Sequence, residues 1–277
     1  MFQPKVSVLI ATYNRPNLIS RALKSVLDQS FTDLEIVVVD DSEDNRTAEV
    51  MKDWVKRDRH ITYLKPGHIG RIAIVSNIGL REAKGEYVAI LDDDDYWADP
   101  RKLEKQVKFL NENPAYVGCG GGFIVVDERG GKEQGRFLKP QNDQDIRRRA
   151  LLANPMVNST AMFRRSIALK AGGYDETILE FADWDFWLKM GLAGKLYNFP
   201  EYFIYYLMWD RGSSFSKQKG TAISAVRIVK RYKSNYPNSF WAIMLAYLYR
   251  FYTKLPDPIK RFLNPLLSRL KKTVFAA

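Results

Sequence analysis

Tyr87-Val88-Ala89-Ile90-Leu91-Asp92-Asp93-Asp94-Asp95 decides how this chain is read, because an apolar run passes directly into four carboxylates. The run reads as a strand buried on both faces, so the acids emerge together where it leaves the sheet. In parallel α/β sheets ligands sit outside the carboxyl ends of the strands, and extended geometry sends Asp92 and Asp94 to the same side. Crowded carboxylates repel, and each ionised one raises the pKa of its neighbours unless a cation offsets the charge. A hard divalent ion, Mn2+ or Mg2+, does this while bridging to phosphate oxygens. A solvated acidic loop is the competing reading of the quartet taken alone.

Upstream, Val6 to Ala11, Glu35 to Val39 and Ile61 to Leu64 are further β-branched runs. Amphipathic stretches separate them: Leu18 to Leu27 behind Pro16, Thr47 to Lys56, and Ile72 to Ala83, with Gly85 placed as a left-handed cap. Alternating strands and helices predict an α/β fold with a mainly parallel sheet. Downstream, a charged helix is expected after Pro100, a hairpin or mixed-sheet edge over Tyr116 to Val126 with the Gly130-Gly131 turn, a strand over Ser159 to Phe163, a helix over Trp184 to Met190 and strand over Leu196 to Met208. The second strand also ends in acids, Asp40-Asp41-Ser42. Capping of the next helix accounts for one of them and leaves Asp40 to accept hydrogen bonds from a base or ribose. The first strand runs into Thr12-Tyr13-Asn14-Arg15, where Arg15 suits a phosphate and Tyr13 suits stacking on a base.

The chain has 277 residues, 46% of them hydrophobic, which is enough for a large core. Its net charge of +11 is not spread evenly. Residues 217–277 carry thirteen Lys or Arg against the single acid Asp257, so the body before them is neutral. The expected division is therefore a catalytic domain over residues 1–216 and a helical tail over 217–277. Cys119, His60 and His68 lack the spacing of a zinc site. No apolar run reaches the roughly 18 residues of a membrane span, and the start lacks a signal-peptide layout, which places the chain in the cytosol.

In order and spacing, Val6-Ser7-Val8-Leu9-Ile10-Ala11-Thr12-Tyr13-Asn14-Arg15, Glu35-Ile36-Val37-Val38-Val39-Asp40-Asp41-Ser42, and Asn77-Ile78-Gly79-Leu80 through Ala83-Lys84-Gly85-Glu86-Tyr87 into the acidic quartet form one pattern. It resembles the inverting glycosyltransferases of family 2, which share the GT-A fold. The resemblance spans about residues 5–216. It implies that Asp92-Asp93-Asp94 is the DXD element, with Asp94 as metal ligand supported by Asp95, and Asp92 near the ribose. It also implies that Thr12, Tyr13, Arg15, Asp40 and Asp93 belong to the nucleotide pocket. A helical acid, matched here by Asp183 in Phe181-Ala182-Asp183-Trp184-Asp185-Phe186-Trp187-Leu188, would deprotonate the acceptor. Two departures stand out. Ala182 replaces the usual Glu, and Tyr206 to Ser216 lacks the histidine of many relatives, which leaves Arg211 as a possible partner for the diphosphate. The implied reaction is transfer from a nucleoside diphosphate sugar, UDP being the commonest carrier, to a glycan or lipid-linked acceptor. A catalytically inactive relative that binds nucleotide sugar or glycan is the alternative.

In the tail, Ser239 to Tyr252 is an aromatic-rich helix, and Ile259 to Leu270 sets apolar residues opposite lysines and arginines. That pattern fits a helix lying on anionic lipid, here the inner face of the cytoplasmic membrane, or one packed on the catalytic domain or on a second subunit as a homodimer. Nucleic acid fits poorly, because the basic residues share their helices with long apolar stripes.

Overall fold

The computed structural model describes residues 3–127, 131–208, 218–256 and 259–260. Strands β1 (Val6–Thr12), β2 (Leu34–Asp40), β3 (Ile61–Leu64) and β4 (Tyr87–Ile90) lie parallel in the order β3-β2-β1-β4. Helices α1 (Pro16–Leu27), α2 (Arg46–Arg57) and α3 (Ile72–Glu82) cross between them. These are the predicted elements, shifted by a residue at most of their ends. The β-branched runs are short and bounded by turn residues, so little latitude remains.

The rest of the chain extends the sheet with reversals. After β5 (Tyr96–Trp97) and α4 (Lys102–Glu112) come β6 (Tyr116–Asp127), β7 (Glu133–Phe137), α5 (Asp143–Arg149), β8 (Met162–Arg164), α6 (Arg165–Lys170), α7 (Ala182–Ala193) and β9 (Lys195–Met208). β8 runs antiparallel between β4 and β6, β9 pairs parallel with β6, and β7 folds back on β6 as the expected hairpin. Among the described residues the result is one mixed sheet of nine strands. β2 shows how it is buried: Ile36 and Val38 face a layer with Ile19, Leu23 and Leu103, while Val37 and Val39 face a layer with Leu80, Phe186 and Val229.

Two local expectations are corrected. Gly85 is not left-handed; a Cβ there would lie 2.6 Å from the Ser7 amide nitrogen, so the glycine serves close backbone approach. The predicted strand from Ser159 begins as a single 3-10 turn, Asn158–Thr160, and only Met162–Arg164 joins the sheet.

The composition change near residue 217 is not matched by a gap in packing. Helix α8 (Gln218–Tyr232) shares a buried cluster with α7, with Ala225, Val226, Ile228 and Val229 against Trp184, Phe186 and Leu188. Arg231 of α8 bonds Asp185 of α7 at 2.7 Å and Asp175 at 2.7 Å. Helix α9 (Ser239–Tyr252) packs inward through Ala242 and Ala246 and turns Phe240 (71% exposed), Trp241 (56%) and Phe251 (64%) outward. Beyond 259–260, the second apolar tail segment lies outside the described residues, and so do Trp209, Asp210 and Arg211. Among the described residues no helix is long and apolar enough to cross a membrane.

Candidate active site

The strand order reverses its winding between β1 and β4, which opens a crevice at their carboxyl ends. Leu9 pairs with Ile90, so continuing that register carries Thr12 alongside Asp93, and the Thr12 hydroxyl donates to Asp93 Oδ2 at 2.7 Å. The quartet is not extended strand as expected but a turn, closed by the Asp95 amide on the Asp92 carbonyl at 3.1 Å; burial still alternates along it, with Asp93 and Asp95 5% and 2% exposed and Asp92 and Asp94 half-buried. Arg15 Nη1 donates to Asp93 at 2.6 Å and to Asp94 at 2.7 Å. Asn14, at φ 53, turns the chain so that Arg15 follows β1 back over the acids.

Tyr13 is exposed beside this cluster and stacks on His68, with ring centroids 5.2 Å apart. The loop carrying His68 is held by Asp41, whose carboxylate accepts from the Ile69 and Gly70 amides at 2.5 and 2.9 Å. Neither Asp41 nor Ser42 caps α2, since Asn45 occupies that position. Asp40 is fully buried and accepts from Tyr63 Oη at 2.6 Å and from the Ser42 amide at 2.9 Å. It therefore stands behind the pocket wall rather than on its surface. The structure thus gathers Thr12, Tyr13, Arg15 and Asp92 to Asp95 at one crevice and sets Asp40 one layer back.

The acids are poorly neutralised. Burial, then the charge of Asp94, pushes the Asp92 carboxyl up to about 7. Burial likewise raises Asp93, against the pull of Arg15, and raises Asp95 well above the usual carboxylate range. Asp95 Oδ1 is buried with no hydrogen-bond partner. Among the described residues no three His, Cys, Asp or Glu side chains are already gathered at ligand spacing. Even so, an all-oxygen donor set with excess negative charge and an orphaned carboxylate oxygen fits a hard divalent cation.

Across the crevice, α7 brings in Asp183. Phe181 precedes the helix at φ 64, a left-handed conformation that costs a bulky residue about 1–3 kcal/mol and turns the chain sharply into the first helical turn. Asp183 is half-buried, and Asn154 Nδ2 donates to its Oδ2 at 2.7 Å. Burial raises its pKa, against the first-turn amides, Lys139 and Asn154, which lower it. The two tryptophans that follow Asp183 in sequence, Trp184 and Trp187, turn elsewhere. Trp184 Nε1 donates to the Ala150 carbonyl at 2.7 Å, and Trp187 packs in the core on Phe163 and Phe186. Asp185 is fully buried behind the site on Arg231.

Several site residues were not visible in the sequence. Asn158 donates to Asp92 at 3.1 Å, and Ser159 Oγ bonds Asp95 at 2.5 Å and accepts from the Asp92 amide at 3.1 Å. The turn that carries them packs closely on β6 because position 120 is glycine; a Cβ on Gly120 would lie 3.0 Å from Thr160 Oγ1. The run Gly118-Cys119-Gly120-Gly121-Gly122 was the available signal, since glycines inside a strand mark close approach.

Fold and site define a sugar-nucleotide transferase architecture, and comparison with known proteins identifies the family. The family model described as Glycosyl transferase family 2 matches residues 7–171, and the chain belongs to that family. An uncharacterized glycosyltransferase of Methanocaldococcus jannaschii, MJ1057, is 29% identical over 280 residues, covering 95% of this chain and 93% of its own. EpsE of Bacillus subtilis is 32% identical over 203 residues, covering 72% and 71%. Among solved structures, S. aureus TarS 1-349 in complex with UDP-GlcNAc superposes with a TM-score of 0.70 at 19% identity, covering 92% of this chain and 77% of that one. The chain spans 44% of the longer TarS crystal structure. The mannosyltransferase PcManGT from Pyrobaculum calidifontis, in complex with GDP-Man and Mn2+, gives 0.66 at 20% identity, covering 97% and 81%. The sheet is that of the GT-A fold.

Proposed function

We propose that this chain is an inverting glycosyltransferase that moves a sugar from a UDP-linked donor to an acceptor hydroxyl, in cell-surface polysaccharide, lipid-linked glycan or glycoconjugate synthesis. One observation carries the reading. Asp183 confronts the acidic cluster across the crevice closely enough that its charge helps raise the Asp92 pKa. A sugar bound between them has a base on one side and a diphosphate site on the other. The UDP-GlcNAc and GDP-Man complexes of the two solved relatives support a nucleotide sugar as donor.

In this reading Tyr13 and His68 stack with the base, Asp92 holds the ribose, and Arg15 reaches the diphosphate. Asp40 supports the pocket by fixing Tyr63 and Ser42. Asp183 accepts the proton of the acceptor hydroxyl as that oxygen bonds to the anomeric carbon. The bond from that carbon to the diphosphate oxygen breaks, the electron pair leaves with the nucleoside diphosphate, and configuration inverts. Asp94, supported by Asp95, would hold a Mn2+ or Mg2+ ion, which would supply charge neutralisation for the diphosphate. Arg211 would add a second cation there. Asp183→Asn should retain donor binding and lose turnover about a hundredfold or more, as removal of a general base requires. Near-normal turnover would overturn the assignment.

Residues 217–277 make the contact with an anionic membrane surface. Support comes from α9, which buries alanines and exposes Phe240, Trp241, Leu248 and Phe251. Large aromatic residues turned outward mark an interaction face. Thirteen basic residues against one acid in the segment match anionic lipid.

A further inference from the structure

We infer that Lys139 and Asn154, both pinned through Asn198, form a clamp that aims the Asp183 carboxylate into the crevice and sustains its charge, which makes them positioning residues for the proton transfer. The inference rests on the reading of Asp183 as the base.

The clamp is built from segments that the sequence keeps apart. Lys139 follows β7 and Asn154 follows α5, and Lys139 Nζ donates to the Asn154 carbonyl at 3.0 Å. The Asn154 side chain has one orientation available. Its Oδ1 accepts from the Met156 amide at 3.2 Å, which leaves Nδ2 to face Asp183 at 2.7 Å. Both segments are tied to the sheet by a single buried residue of β9. Asn198 Nδ2 donates to the Pro140 carbonyl at 2.8 Å and to the Pro155 carbonyl at 3.2 Å, and its amide donates to Gln141 at 2.9 Å. Asn198 itself fits because position 120 is glycine, where a Cβ would come within 2.8 Å of Asn198 Oδ1.

Electrostatics makes the clamp useful. Among the described residues, the titratable groups facing Asp183 are Lys139, Asp92 of the acidic loop and Tyr174 behind α6. Asp92 opposes ionisation of Asp183, and Lys139 is the cation that favours it. Lys139 is half-buried and its pKa is itself lowered by burial, so water only partly screens its charge from the half-buried Asp183. A base that must be desolvated to be strong, yet ionised to be useful, needs this pairing of burial with a cation that does not form a tight ion pair.

Lys139 lowers the Asp183 pKa, so removing it raises that pKa, and the acid limb of the rate profile moves to higher pH. Full-length protein with Lys139→Met, Lys139→Arg and Asn154→Ala would be compared by 13C NMR titration of the Asp183 carboxyl, assigned with Asp183→Asn, which requires no turnover. UDP release from UDP-GlcNAc against pH gives the second readout. We expect Lys139→Met to raise the Asp183 midpoint enough to lower the rate by about tenfold below the limb while converging with wild type above it, with Lys139→Arg restoring the profile. Asn154→Ala should raise the midpoint and also lower the plateau rate by about tenfold or more, because the carboxylate loses its aim. An unmoved midpoint in both Lys139→Met and Asn154→Ala, in protein that melts like wild type, overturns the clamp. Turnover surviving in Asp183→Asn overturns instead the base assignment, so the two failures are distinguishable.

Discussion

Arg231→Met tests whether α8 belongs to the catalytic core. Asp185 is fully buried; its Oδ1 lies 2.7 Å from Arg231 Nη1, its Oδ2 has no hydrogen-bond partner, and Lys189 Nζ is 3.9 Å away. Methionine keeps most of the apolar stem and deletes the guanidinium, which strands a carboxylate in the interior. Breaking a buried pair from one side costs about 3–5 kcal/mol. The second bond of Arg231, to the partly exposed Asp175, adds little. For a chain of this size each kcal/mol lowers Tm by about 2–4 °C, so a fall of roughly 6–20 °C is expected by scanning fluorimetry, with a matching shift in urea midpoint. The double variant Asp185→Asn with Arg231→Met should recover most of the loss, because no charge is left stranded. A single variant melting within about 2 °C of wild type would refute the argument and with it the view that α8 is integral to the fold.

Asp94→Ala should abolish the increment in donor affinity that Mn2+ provides, read by calorimetry with UDP in the presence and absence of EDTA; an unchanged increment removes Asp94 from the metal site. Lys102 is fully buried over the Trp97 ring at 4.0 Å, and burial brings its pKa from 10.5 down to about 7. The unfolded chain therefore holds a proton that the folded chain lacks between those values, so wild-type stability gains as pH rises through that window. Lys102→Met should be more stable than wild type by on the order of 2–4 kcal/mol near pH 7, with the gap widening little below that and closing toward pH 10; a gap that is absent or independent of pH contradicts this. Replacing Trp241 and Leu248 of α9 by Glu should abolish flotation with phosphatidylglycerol vesicles while leaving Tm unchanged. Flotation equal to wild type dismisses that face as the lipid contact, and concentration-dependent dimerisation lost in the same variant would assign it to a second copy.

The first four strands, their crossing helices and the position of the acidic quartet were legible because each depends on local pattern: short β-branched runs, helical spacing behind Pro16, and carboxylates directly after a buried strand. The separation of Asp92 and Asp94 from the buried Asp93 and Asp95 matches the expected alternation, but a turn beyond the end of β4, and not strand geometry, produces it. What the sequence could not show depends on contacts between distant segments. Asp40 looked available for a ligand until Tyr63, from the neighbouring strand, was seen to occupy it. Gly85 looked like a helix cap until β1 was found pressed against it. The sequence left the basic tail between a lipid surface and packing on the catalytic domain or a second subunit; within it, Arg231 of α8 meets a buried acid of α7. Asn154, Asn158, Ser159 and Lys139 lie in loops without periodicity, and only the folded sheet, through the glycine run of β6 and the side chain of Asn198, brings them to the carboxylates they hold. Residue pattern dictates which segments become strands and helices, because that is settled by which side chains must leave water; which polar group ends up facing which is settled by the close packing of segments far apart in the chain.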